Sequence, residues 1–173
     1  ARQRYGESIH WQPGDAATLP FGKHAIDLVF SNLAVQWCRD IGAVMEELYR
    51  VLTPGGQAHI TTLLPGTLEE IACAWQRPEA LLQTPDRARV ERAIGESGLT
   101  IIRQAATVER FYYPDLKAVM ASIKGVGAQI ARPQASLSRN DIAAAQARFE
   151  QLRRPEGLPV SYHCLTLHLE KSL

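Results

Sequence analysis

Residues 25–63 constrain the fold more than any other part of the chain. Residues 25–30 (AIDLVF) are nearly all apolar and include β-branched and aromatic side chains, which is typical of a strand covered on both faces in a parallel sheet. An amphipathic helix is predicted to follow Asp40, its N-cap, and to end at Pro54, Gly55 and Gly56. Residues 57–63 (QAHITTL) then predict a second strand. A strand, a helix and a strand in this order indicate a βαβ unit with a right-handed crossover.

The alternation of strand and helix extends along most of the remaining chain. Further elements are predicted as short strands over residues 9–11 and 161–169, helices over 68–75 and 86–94, and a strand over 100–111. Residues 114–157 interrupt the alternation with two helix-like stretches joined by a segment containing Gly and Pro. We therefore interpret residues 1–173 as part of a single α/β domain, with a helical insertion or lid over residues 114–157.

Composition excludes several classes of function. The chain has 173 residues, of which 46% are hydrophobic and 21% charged, as expected for a globular domain. A net charge of +1 does not provide the basic surface that is typical of nucleic-acid-binding proteins. No stretch approaches the ~20 consecutive apolar residues of a membrane span. The three cysteines show no CxxC spacing, which argues against a zinc site. We expect a cytoplasmic protein with no metal, and because the chain starts at Ala1, we expect further residues upstream.

Three segments, taken in order, carry a resemblance to a known class of enzyme. They are Gly14-Asp15-Ala16 with Leu19-Pro20-Phe21, residues 26–32 (IDLVFSN), and residues 48–56, which end in Thr-Pro-Gly-Gly. Together they resemble the second half of a class I S-adenosylmethionine-dependent methyltransferase. The resemblance implies that the Asp15 carboxylate and the Ala16 amide bind the adenine of S-adenosyl-L-methionine. It places Ser31, Asn32 and Leu33 at the methyl end of the cofactor, in keeping with ligand binding beyond the carboxyl ends of parallel strands.

Two further segments narrow the resemblance to one family. Residues 31–38 (SNLAVQWC) and 122–128 (SIKGVGA) are similar to the malonyl-acyl carrier protein O-methyltransferases of biotin synthesis. This implies a Rossmann-like methyltransferase sheet that lacks its first two strands and has a helical insertion before its last strand. It also implies methyl transfer to the free carboxylate of a malonyl group on acyl carrier protein. Gln36, Trp37, Lys124 and Arg132 are the predicted substrate-binding residues.

The implied reaction sets modest demands on catalytic side chains. A carboxylate with a pKa near ~4 is already ionised at neutral pH, so we predict no catalytic acid or base. The enzyme must instead align the reactants and exclude water. The insertion has seven basic and four acidic residues, a local charge of +3 that could attract an acidic carrier protein.

One expected motif is missing. Nothing in the chain matches the D/E-x-G-x-G-x-G loop, and Gly125 and Gly127 do not follow a strand. We therefore assign the activity to the complete parent enzyme and expect these residues alone to be inactive. Two alternatives stay open, a methyltransferase for another small acceptor and an inactive protein-binding remnant. Individual residues also have simpler interpretations, with Asp15 as a turn residue, Asn32 as a strand end, Trp37 as core and Lys124 as a solvated side chain.

Overall fold

A computed structural model describes residues 8–76, 83–125 and 138–173, without the side chains of residues 124 and 125. In chain order the elements are β1 Ile26–Asn32, a 3₁₀ helix Val35–Trp37, α1 Ile41–Val51, β2 Leu52–Leu63, α2 Glu69–Trp75, α3 Arg87–Ser97, β3 Leu99–Tyr113, α4 Leu116–Gly125, α5 Arg139–Glu150 and β4 Leu158–Lys171.

The strands form one mixed sheet in the order β1-β2-β4-β3. β1 and β2 are parallel, with Val29 opposite Ala58, so the predicted βαβ unit is confirmed. β4 runs antiparallel to both β2 and β3. Leu63, the last residue of β2, lies opposite Cys164, and residues 158–163 of β4 pair with β3 alone. A two-stranded ribbon therefore extends past the carboxyl end of β2.

Two hydrophobic clusters stabilise the fold. In the larger one, α1 and α3 pack on one face of the sheet, against Ala58 and Ile60 of β2 and Leu165, Leu167 and Leu169 of β4. The alternation of these leucines with Cys164, Thr166 and His168 follows the period of two expected for a strand. The smaller cluster joins α2, α4 and α5 to the start of β4. The helical insertion thus has its own core at the end of the ribbon.

The opposite face of the sheet is open near β1 in the described part of the chain. Leu28 is 60% exposed and Phe30 is 77% exposed, although both lie in a strand with the composition of a buried one. Phe30 lies opposite His59, whose ring stacks on that of His168 with centroids 4.2 Å apart. β1 also forms one edge of the sheet. Exposed apolar side chains and an unpaired edge indicate a surface suited to further packing.

Most predicted elements are present, with four differences. α1 ends at Val51 and β2 begins at Leu52, so Pro54, Gly55 and Gly56 lie within the strand and do not end the helix. Residues 9–11 form no strand, because none of them pairs with the sheet. α3 passes through Gly95 and ends at Gly98, whose φ of +88° only glycine adopts readily. β4 and β3 are longer than predicted, since each supplies the hydrogen-bonding partner that keeps the other extended.

Candidate functional site at the carboxyl end of the first strand

The Asp15 turn forms the first part of the site. Asp15 Oδ1 accepts a hydrogen bond from Ala17 N at 2.9 Å, and Asp15 O accepts one from Thr18 N at 3.0 Å. Within the described residues, Asp15 Oδ2 and the Ala16 N–H make no hydrogen bond. Asp15 is exposed, whereas Ala16 and Ala17 pack partly against the main core. The turn thus leaves one acceptor and one donor on adjacent residues without a partner in the described part of the chain.

A Glu–Arg pair on α1 holds the chain that follows this turn. Glu47 Oε1 accepts hydrogen bonds from Leu19 N and from Arg50 Nη2, both at 2.6 Å. Arg50 Nη2 also donates to Leu19 O at 3.2 Å and to Phe21 O at 2.9 Å. The hydrogen bond from Arg50 is the main cause that lowers the pKa of Glu47. The carboxylate therefore stays charged and hydrogen-bonded next to the loop.

The second part of the site is the turn that leaves β1. Leu33 adopts the left-handed conformation, with a φ of +51°, which is rare for a residue of its size. Its N–H donates to Thr61 O at 2.8 Å, and its carbonyl accepts a hydrogen bond from Gln36 Nε2 at 2.7 Å. Gln36 is only 5% exposed. The buried Gln36 side chain therefore stabilises the turn through its hydrogen bond to Leu33.

The predicted cofactor residues of this turn lie at the surface of the site. Asn32 is exposed, Ser31 is half-buried and Leu33 is 40% exposed. The Asp15 turn lies near them. The pKa of the Cys38 thiol, just after the 3₁₀ helix, is raised mainly by burial and also by the negative charge of Asp15. Both turns thus border the main core, where Ala16 and Cys38 pack partly against it, and their assignment to the two ends of a cofactor site stays a prediction.

The predicted substrate residues are placed differently from one another. Trp37 is 50% exposed, so it is not a core residue. Gln36 is buried and bonded to Leu33, so the structure gives it a supporting role in the turn, and its contact with substrate stays a prediction. Lys124 lies on α4, but its side chain is outside the described part. Arg132 lies outside the described residues altogether.

Sequence patterns missed two polar clusters. Glu47 and Arg50 fall outside the apolar stripe in the amphipathic pattern of α1, and no local signal shows that their partner is a loop near residue 19. The second cluster joins Glu70 of α2 to the ribbon. Ser161 donates to Glu70 through both its N–H and its hydroxyl, and Arg110 Nε donates to Ser161 Oγ at 3.1 Å.

Two other kinds of site are absent from residues 8–76, 83–125 and 138–173. No group of three or more His, Cys, Asp or Glu side chains there could hold a metal ion. No helix in those ranges is both long and apolar enough to cross a membrane.

Comparison with known sequences identifies close relatives. A family model described as a methyltransferase domain matches residues 1–60. The biotin biosynthesis bifunctional protein of Cellvibrio japonicus is 36% identical over 99% of the chain, which spans 35% of that protein. The malonyl-[acyl-carrier protein] O-methyltransferase of Erwinia billingiae is 39% identical over 88% of the chain, which spans 61% of that enzyme. The chain thus covers less than two thirds of the length of either relative.

Solved structures agree on the fold. A Bacillus halodurans protein described as a methyltransferase superposes with a TM-score of 0.65 at 12% identity, covering 99% of this chain and 77% of the other. The geranyl diphosphate C-methyltransferase of Streptomyces coelicolor, solved with S-adenosyl-L-homocysteine, gives a TM-score of 0.53 at 14% identity. The superposition covers 98% of this chain and 56% of the other. The chain therefore has the class I methyltransferase fold, and over most of its length it is similar in sequence to malonyl-[acyl-carrier protein] O-methyltransferases.

Proposed function

We propose that the chain is part of an S-adenosyl-L-methionine-dependent O-methyltransferase that esterifies the free carboxylate of malonyl-acyl carrier protein in biotin synthesis. The observation that carries the proposal is the similarity of the chain, over most of its length, to enzymes of that name, and the exposed Asp15 turn and the Leu33 turn at the carboxyl end of β1 support it. The relatives are longer than this chain, so the activity is proposed for the complete protein.

The Asp15 turn fits the adenine end of the cofactor. Adenine offers an exocyclic amine as donor and a ring nitrogen as acceptor. The unused Asp15 Oδ2 and the unused Ala16 N–H provide the complementary pair, with the acceptor and donor on adjacent residues. A carboxylate acceptor makes a charge-assisted hydrogen bond, which is stronger than a neutral one.

The Leu33 turn fits the methyl end. When bound there, the cofactor supplies an electrophilic methyl group on a sulfonium. Asn32, exposed and without a hydrogen-bonding partner among the described residues, is available to orient a polar group of cofactor or substrate. Leu33 and Trp37 present apolar surface beside it, which helps to exclude water. No described side chain needs to remove a proton, because the acceptor carboxylate is already ionised.

The helical insertion fits an acidic partner. Lys117 on α4 and Arg139 on α5 are exposed, as is Arg154 in the loop before β4. None of the three belongs to an ion pair in the described part of the chain. Exposed cations that are not neutralised locally can speed the approach of an acidic carrier protein, an effect that weakens with added salt.

Titration with S-adenosyl-L-homocysteine tests the cofactor site, using the complete protein. We expect Asp15→Ala to bind the ligand about 10- to 100-fold more weakly, since a hydrogen bond to a charged group is worth about 1.5–3 kcal/mol. Glu46→Gln, which removes one exposed carboxylate from α1, is the matched control and should bind as the wild type does. Equal affinity in Asp15→Ala and wild type would contradict the assignment.

A methyl-transfer assay tests the acceptor. Malonyl-acyl carrier protein, malonyl-coenzyme A and free malonate are compared as acceptors at one concentration, with the esterified product detected by mass spectrometry. We expect the carrier-bound thioester to react fastest and its rate to fall as salt is added. Methylation of an unrelated small molecule at a higher rate would favour the second acceptor class. If the wild-type protein does not bind S-adenosyl-L-homocysteine, the result would favour an inactive protein-binding remnant.

A further inference from the structure

We propose that Glu47 and Arg50 are positioning residues for the cofactor. They form a clasp, defined as the Glu47–Arg50 pair together with its hydrogen bonds to Leu19 and Phe21, which fixes the chain that carries Asp15. This inference rests on the proposed function, because it takes the Asp15 turn to be the adenine site. The hydrogen bonds of both side chains go to each other and to Leu19 and Phe21, so their effect is exerted through the loop.

The clasp engages the backbone of Leu19 from both sides. Its N–H donates to Glu47 Oε1 at 2.6 Å, and its carbonyl accepts from Arg50 Nη2 at 3.2 Å. The two side chains also join each other, since Arg50 Nε donates to Glu47 Oε2 at 2.7 Å and Nη2 donates to Oε1 at 2.6 Å. This is the paired arrangement in which a planar guanidinium matches a carboxylate, and lysine cannot reproduce it.

The burial of the clasp separates it from an ordinary pair on a helix surface. The Glu47 side chain is 10% exposed and that of Arg50 is 32% exposed. The Arg87–Glu91 pair on α3 is 50% and 35% exposed, and neither of its side chains bonds a distant backbone. Exposed pairs of that type contribute little to stability. The Glu47–Arg50 pair instead supplies hydrogen bonds to the backbone of Leu19 and Phe21.

A short connection transmits the position of Leu19 to the adenine site. Three residues separate Leu19 from Asp15, and the bond from Thr18 N to Asp15 O closes the turn between them. Leu19 also packs partly against the main core. If Leu19 loses its polar anchors, the turn loses its fixed position relative to Leu33, and the two ends of the cofactor site are no longer held at one separation.

Steady-state kinetics of the complete protein test the proposal. In Glu47→Gln we expect the KM for S-adenosyl-L-methionine to rise about tenfold, with kcat at saturating cofactor and the KM for the acceptor within about twofold of wild type. Arg50→Lys should show the same split, because lysine cannot reproduce the two-point pairing of Arg50 Nε and Nη2 with the Glu47 carboxylate. Glu91→Gln, which breaks the exposed pair on α3, is the control and should leave all three constants unchanged.

Other outcomes separate the clasp from a purely structural role. If both variants lower kcat in proportion to a loss of folded protein, with the cofactor KM unchanged, the positioning role is refuted. Should Glu47→Gln fail to fold, Arg50→Lys and amide hydrogen exchange at Leu19 decide the matter, since the clasp predicts faster exchange in that variant. A wild type that binds no S-adenosyl-L-homocysteine overturns the proposed function, whereas a wild type that binds alongside variants of equal affinity overturns the clasp alone.

Discussion

Replacing Lys171 by methionine should destabilise the sheet and α1 together. Lys171 is the last residue of β4 and is only 4% exposed. Its Nζ donates to Tyr49 O at 2.6 Å and to Leu52 O at 2.9 Å, and it lies 4.3 Å from the centroid of the Tyr49 ring. The ammonium therefore satisfies carbonyls at the carboxyl end of α1, where the helix dipole favours a positive charge.

The size of the effect follows from two opposing contributions. Two hydrogen bonds from a charged donor are worth about 3–6 kcal/mol in sum, and their loss leaves buried carbonyls without a donor. The variant also avoids the cost of burying an ammonium, which is several kcal/mol. Methionine preserves most of the packing of the lysine stem. We expect a net loss of about 2 kcal/mol in the free energy of unfolding.

Urea denaturation followed by circular dichroism measures this loss. For an m-value of about 2 kcal/mol/M, the midpoint should fall by about 1 M. Lys117→Met, at an exposed position on α4, is the matched control and should shift the free energy by less than about 0.5 kcal/mol. If the two variants have the same midpoint, the lysine contacts do not stabilise the end of α1 and the reasoning is wrong.

Three other predictions concern single side chains. The pKa of Glu47 is lowered chiefly by its hydrogen bond with Arg50. Its contribution to the free energy of unfolding is therefore present above the ordinary glutamate pKa and is lost as pH falls through the lower pKa of the folded state. Below about pH 4, the denaturation midpoint of Glu47→Gln should accordingly vary less with pH than that of the wild type. Gly66→Val should cost about 2 kcal/mol in thermal unfolding, because Gly66 has a φ of +95° and an added Cβ would lie 3.1 Å from the His163 ring; an unchanged melting temperature would contradict this. Phe30→Ser should cost less than about 0.5 kcal/mol in these 173 residues, since Phe30 is 77% exposed, and a loss of about 3 kcal/mol would show that its face is covered.

Local sequence patterns predicted the elements whose stability depends on their own residues. The amphipathic period of α1 and its Asp40 cap, which accepts a hydrogen bond from Gly42 N at 2.9 Å, were both readable. The carboxyl end of β1 was predicted as a site from the family resemblance, in keeping with the general rule that ligands of α/β sheets bind there. The prediction of a strand over residues 9–11 was wrong. A strand needs a hydrogen-bonding partner, and the local sequence pattern does not show whether one is available.

Contacts between distant segments could not be predicted. Glu47 lies 28 residues from Leu19, and a glutamate on the polar side of a helix gives no sign that a loop will pack over it. Gln36 lies only three residues from Leu33, yet nothing in its local pattern shows that its side chain turns inward to the Leu33 carbonyl. In both cases the decisive feature is a backbone group left without a partner by an irregular turn, which becomes evident only in three dimensions.

Both halves of the candidate site depend on α1, which gives that helix a role beyond its packing in the core. Near its start, Asp40 caps the helix two residues after Cys38, which follows the 3₁₀ helix of the Leu33 turn. Near its end, Glu47 and Arg50 hold the loop of the Asp15 turn. A shift at either end of α1 would change the distance between the two turns, while the packing of its apolar face against Ile60 and its neighbours resists such a shift. Because a closely packed core deforms little, anchoring both turns to one helix keeps the adenine and methyl ends of the proposed site in register.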